Sequence, residues 1–290
     1  MTETVETAFA KLNLSLDIES RLPDGYHAMR MVMQSVEFGD CVRVSLTDDG
    51  KISACTNLKY LPCDDRNIAV KAACTFFAAA GITDAGARID IEKRIPVCAG
   101  LGGGSSDAAA VLRSLNTLTG AGFDRGTLES LAAGIGSDVA FCVAGGTALA
   151  TGKGELLSYL PPLPDCSIVI CKPGFSISTP ELFKLIDCRK IKVRPDTDGI
   201  IQSLESGDAQ GVARRMYNVF EDVLPRRYGD IFTIKRQLFD FGASGTAMTG
   251  TGSAVFGIFT DQSKARAAQA ALSGEYSFCV LTRPTHMLDV

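Results

Sequence analysis

The sequence predicts an α+β protein in two domains, and three observations carry that expectation. Strand-like and helix-like segments mix without a clean βαβ period, which argues against a doubly wound parallel sheet. A prolyl stretch, LPPLPD at 160–165, breaks regular structure and marks a boundary, giving domains over 1–159 and 160–290. Glycines and hydroxyls crowd PVCAGLGGGSSDAAA at 96–110, between a strand pattern and a helix pattern.

The elements follow in order. AKLNLSLDI (10–18) alternates as a strand that puts Lys11 and Asn13 on one side and Leu12 and Leu14 on the other. CVRVSL (41–46) sets Val42, Val44 and Leu46 on one face, DDGK follows as a turn and KISA resumes, which predicts a β-hairpin. NIAVKAACTFFAAAG (67–81) reads as a helix with Asn67 as N-cap and Gly81 as C-terminal stop. ARIDIEKRI (87–95) alternates as a half-buried strand. After the glycines, SSDAAAVLRSLNTL should start a helix near Ser106 or Asp107, capped by hydroxyl or carboxylate. Beyond the prolines, CSIVIC (166–171) and GSAVFGIF read as strands, and TPELFKLID and GDAQGVARRM as helices.

Composition narrows the function. Of 290 residues, 46% are hydrophobic and 21% charged, ordinary for a globular chain, and the net charge of -4 gives no basic face for nucleic acid. Ten cysteines are scattered without a CxxC, and only His27 and His286 are histidines, so neither a zinc site nor a disulfide scaffold is expected. Reduced thiols in a cytoplasm, with no signal peptide, fit best. No apolar run is long enough to span a bilayer, so no membrane partner is expected.

Exposed N–H groups that feed a helix N-terminus make an anion site, because unpaired donors and the helix dipole point the same way. Three loop types compete for residues 96–106. A Walker A loop requires a lysine after its last glycine, but Ser105 follows Gly104. The dinucleotide fingerprint GxGxxG would need glycine where Ser105 stands. The remaining type is a longer loop, Pro-x-x-x-Gly-Leu-Gly-x-Gly-Ser-Ser, whose hydroxyls supplement the backbone. A plain surface turn is the bland alternative, and phosphate oxygens are the expected visitors.

That third loop resembles the phosphate loop of the GHMP kinase superfamily, which phosphorylates small-molecule alcohols with ATP. Six further blocks resemble the same superfamily in order: AKLNLSLDI, RLPDGYHAMRMVMQSVEFGD (21–40), IGSDVAF (135–141), KPGFSISTPELF (172–183), NVFE (218–221) and MTGTGSAVFGIF (248–259). The resemblance implies a two-domain GHMP kinase fold. Its N-terminal domain is like the second domain of a small-subunit ribosomal protein, and its C-terminal domain is ferredoxin-like. DGYH and STPELF resemble the branch whose acceptor is a cytidylyl-linked sugar alcohol, phosphorylated at its 2-hydroxyl in non-mevalonate isoprenoid biosynthesis. Two departures stand out: Ala140 where proline usually follows Asp-Val, and Cys98 at a loop position usually held by a smaller residue.

By resemblance, Lys11 and Asp138 form the catalytic pair, Asp138 accepting or orienting the alcohol proton and Lys11 stabilising developing charge. Read alone, Asp138 is an N-cap and Lys11 a solvated charge. Pro96, Val97, Cys98, Ala99, Gly100, Leu101, Gly102, Gly103, Gly104, Ser105 and Ser106 form the ATP loop, with Asn67 near the adenine. Tyr26 and Phe183 sandwich the cytosine, although Phe183 read alone, at helical spacing with Leu182 and Leu185, is core. His27 bonds the base edge, Thr179 and Asn13 face the acceptor alcohol, and Gly250 and Gly252 lie on the substrate side or merely in a turn. ATP is the phosphoryl donor and Mg2+ its companion. The partners are small molecules only, for a monomer or homodimer. Competing readings are a homoserine or mevalonate-type kinase, an NAD-dependent oxidoreductase, and a non-catalytic nucleotide-binding module.

Overall fold

The structure, a computed structural model, describes residues 2–189, 191 and 193–290. Its first part runs β1 (Glu3–Arg21), β2 (His27–Thr47), β3 (Ile52–Thr56), α1 (Ile68–Ala80), β4 (Gly86–Glu92), α2 (Gly103–Thr119), α3 (Arg125–Ala133), α4 (Ser137–Ala144), β5 (Thr147–Thr151) and β6 (Leu156–Tyr159). The second runs β7 (Ser167–Lys172), α5 (Thr179–Asp187), α6 (Thr197–Glu205), α7 (Ala209–Arg215), β8 (Tyr217–Asn218), two 3-10 turns (Val219–Val223, Arg226–Tyr228), α8 (Asp230–Asp240), β9 (Gly245–Met248), β10 (Val255–Phe259), α9 (Gln262–Ser273) and β11 (Phe278–Thr282).

Two sheets organise these elements. One has the order β3-β4-β2-β1-β8, with β5 and β6 continuing from β2. The other is antiparallel with order β11-β7-β10-β9, which in its own chain order is 4-1-3-2, the ferredoxin-like arrangement. The short β8 belongs to the second half of the chain yet pairs with β1 in the first sheet.

The helices lie where their apolar faces require. Asn67 caps α1 by accepting the Ala69 N–H at 3.0 Å, and Gly81 ends it at φ 66°. Phe76 and Phe77 of α1 and Ala108 to Leu112 of α2 are buried with Val42, Val44, Ile89 and Ile91 of the sheet. The opposite face of β1 buries Ala10, Leu12 and Leu14 against Ile168, Ile170, Phe256 and Ile258 of the second sheet. Strand β1 is thus the shared wall between the two layers.

Three expectations are corrected. First, β2 and β3 do not form a hairpin: β4 lies between them, antiparallel to β2 and parallel to β3. Alternation identifies a strand but does not name its neighbour. Gly86 makes the insertion possible, since a Cβ there would stand 2.5 Å from Thr47 Oγ1 and 2.6 Å from the Lys51 nitrogen. Second, β4 stops at Glu92 rather than at residue 95, because the Asn57 amide replaces the sheet ladder at Lys93, accepting its N–H at 2.8 Å and donating to its carbonyl at 3.2 Å. Third, α2 begins at Gly103, three residues before Ser106. Neither predicted cap serves: Ser106 Oγ lies 2.6 Å from the Phe9 carbonyl oxygen and 3.0 Å from that of Gly102, and Asp107 is bound to Lys93.

Candidate active site

The glycine loop meets the protein before it meets any ligand. A Cβ at Gly100 would collide with the Thr249 carbonyl oxygen, and one at Gly102 would stand 2.8 Å from Lys11 Cγ. Both glycines also have positive φ, 78° and 70°, so a side chain is excluded twice. The sequence expectation that phosphate oxygens alone explain the missing side chains is therefore too narrow. The second glycine segment, 249–252, and the Lys11 side chain occupy much of that space.

A hydrogen-bonded weave holds these parts together. The pairing of β1 with β2 slips between Phe9 and Lys11, and the Lys11 N–H donates to the Leu101 carbonyl of the loop at 3.0 Å. Such irregularities re-aim side chains near functional sites. The Asn13 side-chain oxygen accepts from Lys11 Nζ at 2.8 Å and from the Gly250 N–H at 3.0 Å. Thr249 Oγ1 takes the Asn13 N–H and lies 3.1 Å from the Gly100 carbonyl oxygen. Asn218 donates to the carbonyls of Met248 and Gly250, both at 2.8 Å. Fully partnered networks of this kind hold a backbone in one conformation.

Lys11 and Asp138 come from segments more than a hundred residues apart, yet Nζ and Oδ2 stand 3.2 Å from each other. Lys11 is buried, whereas the Asp138 side chain is 32% exposed. Asp138 is not the N-cap of α4, which is Gly136; as the second helical residue its carboxylate is left free to face outward.

Two cavities open on either side of the loop. The first, about 370 Å³, is bounded by Pro62, Asn67, Ile68, Ile95 and the loop residues Pro96 to Ser105. The second, about 700 Å³, is bounded by Lys11, Asp138, Lys153, Thr179, Phe183, Gly250 and Gly252. Cys98, Gly100, Gly102 and Ser105 line both. The loop is the wall between them, and the N–H groups of the first turn of α2 lack partners within the helix. Cys98, a non-glycine at φ 54°, is an exposed part of that wall.

The remaining candidates divide. Thr179, its Oγ1 2.8 Å from that of Thr251, and Phe183 edge the larger cavity. Phe183 is half-buried, stacked on His27 at 4.8 Å and edge-on to Phe220 at 5.1 Å, so it serves packing and cavity wall together. His27 Nε2 lies 2.7 Å from Asp187 Oδ1. Tyr26 is 62% exposed beneath Lys153, whose Nζ sits 4.5 Å from the ring centre, and it does not stack on Phe183. Asn13 is fully buried and its amide oxygen is spent on the weave. Ser106 is likewise turned inward. Asn67 borders the smaller cavity, but its amide caps α1 and donates to the Pro62 carbonyl.

Sequence reasoning missed Thr249, Asn218 and Lys153, and a buried cluster of Lys93, Asp40 and Asp107. Lys93 had a readable signal: it shares the parity of Ile89, Ile91 and Ile95 and so points inward. Its Nζ bonds Asp40 and, at 2.6 Å, Asp107. Among the described residues, no group of three or more His, Cys, Asp or Glu could hold a metal ion. No described helix is long and apolar enough to cross a membrane.

Comparison with known proteins gives the family and the fold. Residues 67–146 match the GHMP kinases N terminal domain and residues 200–277 the GHMP kinases C terminal. A 4-diphosphocytidyl-2-C-methyl-D-erythritol kinase of Clostridium kluyveri is 40% identical over 276 residues, which cover 95% of this chain and 98% of the relative. A solved 4-(cytidine 5'-diphospho)-2C-methyl-D-erythritol kinase is 32% identical with TM-score 0.82, covering 97% of this chain and 99% of that one. Homoserine kinase from Cytophaga hutchinsonii is 20% identical with TM-score 0.75, covering 99% and 95%, and shares the fold.

Proposed function

The chain belongs to the 4-diphosphocytidyl-2-C-methyl-D-erythritol kinase family of the GHMP kinases, and we propose that it moves the γ-phosphoryl group of ATP to the 2-hydroxyl of that cytidylyl alcohol, a step in making isoprenoid precursors. The observation that carries this reading is the loop shared by the two cavities, with Lys11 and Asp138 opening on the larger. A nucleotide in the smaller cavity would lay its phosphates along the first turn of α2, where backbone donors and helix dipole favour negative charge.

Phosphoryl transfer needs alignment and charge stabilisation more than covalent chemistry. The Asp138 carboxylate would orient the acceptor hydroxyl in line with the terminal phosphorus and accept its proton as the new O–P bond forms and the bond from that phosphorus to the bridging oxygen breaks, releasing ADP. The Lys11 ammonium, fixed by Asn13, would stabilise charge on the transferring group. Asn13 and Thr249 thus act through Lys11 and the loop rather than on substrate. Magnesium would accompany ATP as its counter-ion and neutralise phosphate charge. Phe183, at the edge of the larger cavity, would stack the cytosine ring with Tyr26, and His27 would bond the base edge. The division at 159/160 assigns ATP to the first domain and the acceptor side to the second, although β8 crosses it. Ten free cysteines support a reducing compartment, the cytoplasm.

Incubation with ATP, magnesium and 4-diphosphocytidyl-2-C-methyl-D-erythritol should yield ADP and the 2-phosphate. Turnover of homoserine or mevalonate in its place would keep the fold and overturn the acceptor.

A further inference from the structure

Directly behind the first turn of α2 lies a charged cluster that the proposed chemistry does not use. Lys93 Nζ stands 3.3 Å from where a Cβ on Gly103 would be, so the cluster backs the first residue of the helix. It holds two carboxylates, Asp40 and Asp107, against one ammonium, and all three side chains are at least 94% buried. Both Lys93 and Asp107 border the smaller cavity. If all three groups were charged, a buried net negative charge would face the place where nucleotide phosphates are expected.

The hydrogen bonds of the two carboxylates are unequal. Asp40 Oδ2 takes Lys93, and its Oδ1 takes the N–H groups of Arg94 and Ile95. Asp107 Oδ2 takes only Lys93, and its Oδ1 is buried without any partner. A bare carboxylate oxygen away from water is costly, and the cost falls when the group is neutral. Of the two, Asp107 is therefore the carboxyl built to be neutral.

We propose that Asp107 carries a proton when nucleotide is bound, so that the Lys93–Asp40–Asp107 cluster is electrically neutral beneath the phosphates. This rests on the nucleotide site proposed above. Burial pushes the Asp107 carboxyl up to about 8, Lys93 opposing the rise and the Asp40 charge adding to it. A nucleotide's negative charge acts in the same direction, so binding draws a proton in where free Asp107 would have begun to lose it. The other groups around the site bear on this differently. From β1, Lys11 faces Asp138 of α4, and Glu6 pairs with Arg113 of α2 itself. Cys142 of α4 lies 3.5 Å from Ser106 Oγ, and burial holds its thiol up at about 12. Arg66 and Cys98 border the cavity.

ADP is the probe, because its phosphates are already ionised above about pH 7.5. From about pH 7.5 to 9.5 the wild-type affinity for ADP should fall on the order of tenfold. Asp107→Asn, neutral at every pH, should show a level affinity over that range from whatever value it starts. Cys98→Ser should decline as the wild type does, which separates the carboxyl from the thiol. Calorimetry of the wild type near pH 8.5 in buffers of different ionisation enthalpy should show uptake approaching one proton per ADP. That reading decides the matter if Asp107→Asn does not fold. Parallel declines in wild type and Asp107→Asn, or no proton uptake, would overturn the proposal. Failure of wild-type ADP binding at about pH 7.5 would instead remove the nucleotide site, and the proposal with it.

Discussion

Lys11 and Lys93 stand on opposite sides of the loop at 96–106, Lys11 held by one carboxylate and Lys93 by two, and each is almost fully buried. They differ in what surrounds the carboxylates. Asp138 is about one-third exposed and opens on the larger cavity, whereas Asp40 and Asp107 are sealed in. The same residue types thus make a pair that opens on the acceptor side and a buried cluster that borders the smaller cavity from behind the loop. Access, rather than charge, separates the group that reacts from the group that frames.

The largest effect that could break this comparison lies on the open side. Asp138→Asn and Lys11→Met should each lower kcat by about 10²–10⁴-fold in steady-state assays, since proton handling and charge stabilisation are lost together with alignment. Near-normal kcat in either variant would remove that residue from the chemistry. On the sealed side the loss should appear in folding. Lys93→Met removes the cation from a buried cluster and should cost about 3–5 kcal/mol in denaturant unfolding. A variant as stable as wild type would mean that the cluster does not frame the loop.

Smaller effects sharpen the same contrast. Phe183→Ala should raise KM for the cytidylyl acceptor by roughly 1–3 kcal/mol of lost stacking while KM for ATP stays near its original value. Equal rises would make Phe183 a packing residue only. The last effect concerns pH. Because Asp107 titrates near 8 when folded, far above the ordinary carboxylate value, the folded chain keeps a proton that the unfolded chain releases from about pH 4 upward. Stability through this group is therefore lost as pH rises from about 4 to 8. Asp107→Asn should flatten that decline in thermal melts, and an unchanged pH profile would contradict it.

Much of this was legible in the sequence where the cause is local. Asn67 and Gly81 bound α1 because capping and positive φ are properties of single residues, and the Lys11/Asn13 versus Leu12/Leu14 division follows from strand period. The insertion of β4 between β2 and β3 was not legible, because a strand's neighbour is chosen by the whole sheet. Ser106 and Asp107 looked like caps since nothing local reveals that the Phe9 carbonyl and Lys93 compete for them. Asp138 was recognised through its block, but its freedom to face the cavity depends on Gly136 taking the cap position. Lys93 was passed over in a charged run although its parity pointed inward.

The most direct test is a crystal structure with a non-hydrolysable ATP analogue and the cytidylyl alcohol together. The phosphates should lie along the first turn of α2, with the terminal phosphorus facing the larger cavity and the acceptor 2-hydroxyl between it and Asp138, within reach of Lys11. A nucleotide bound elsewhere, or an acceptor hydroxyl far from Asp138, would contradict the assignment of the loop as the wall between the two substrates.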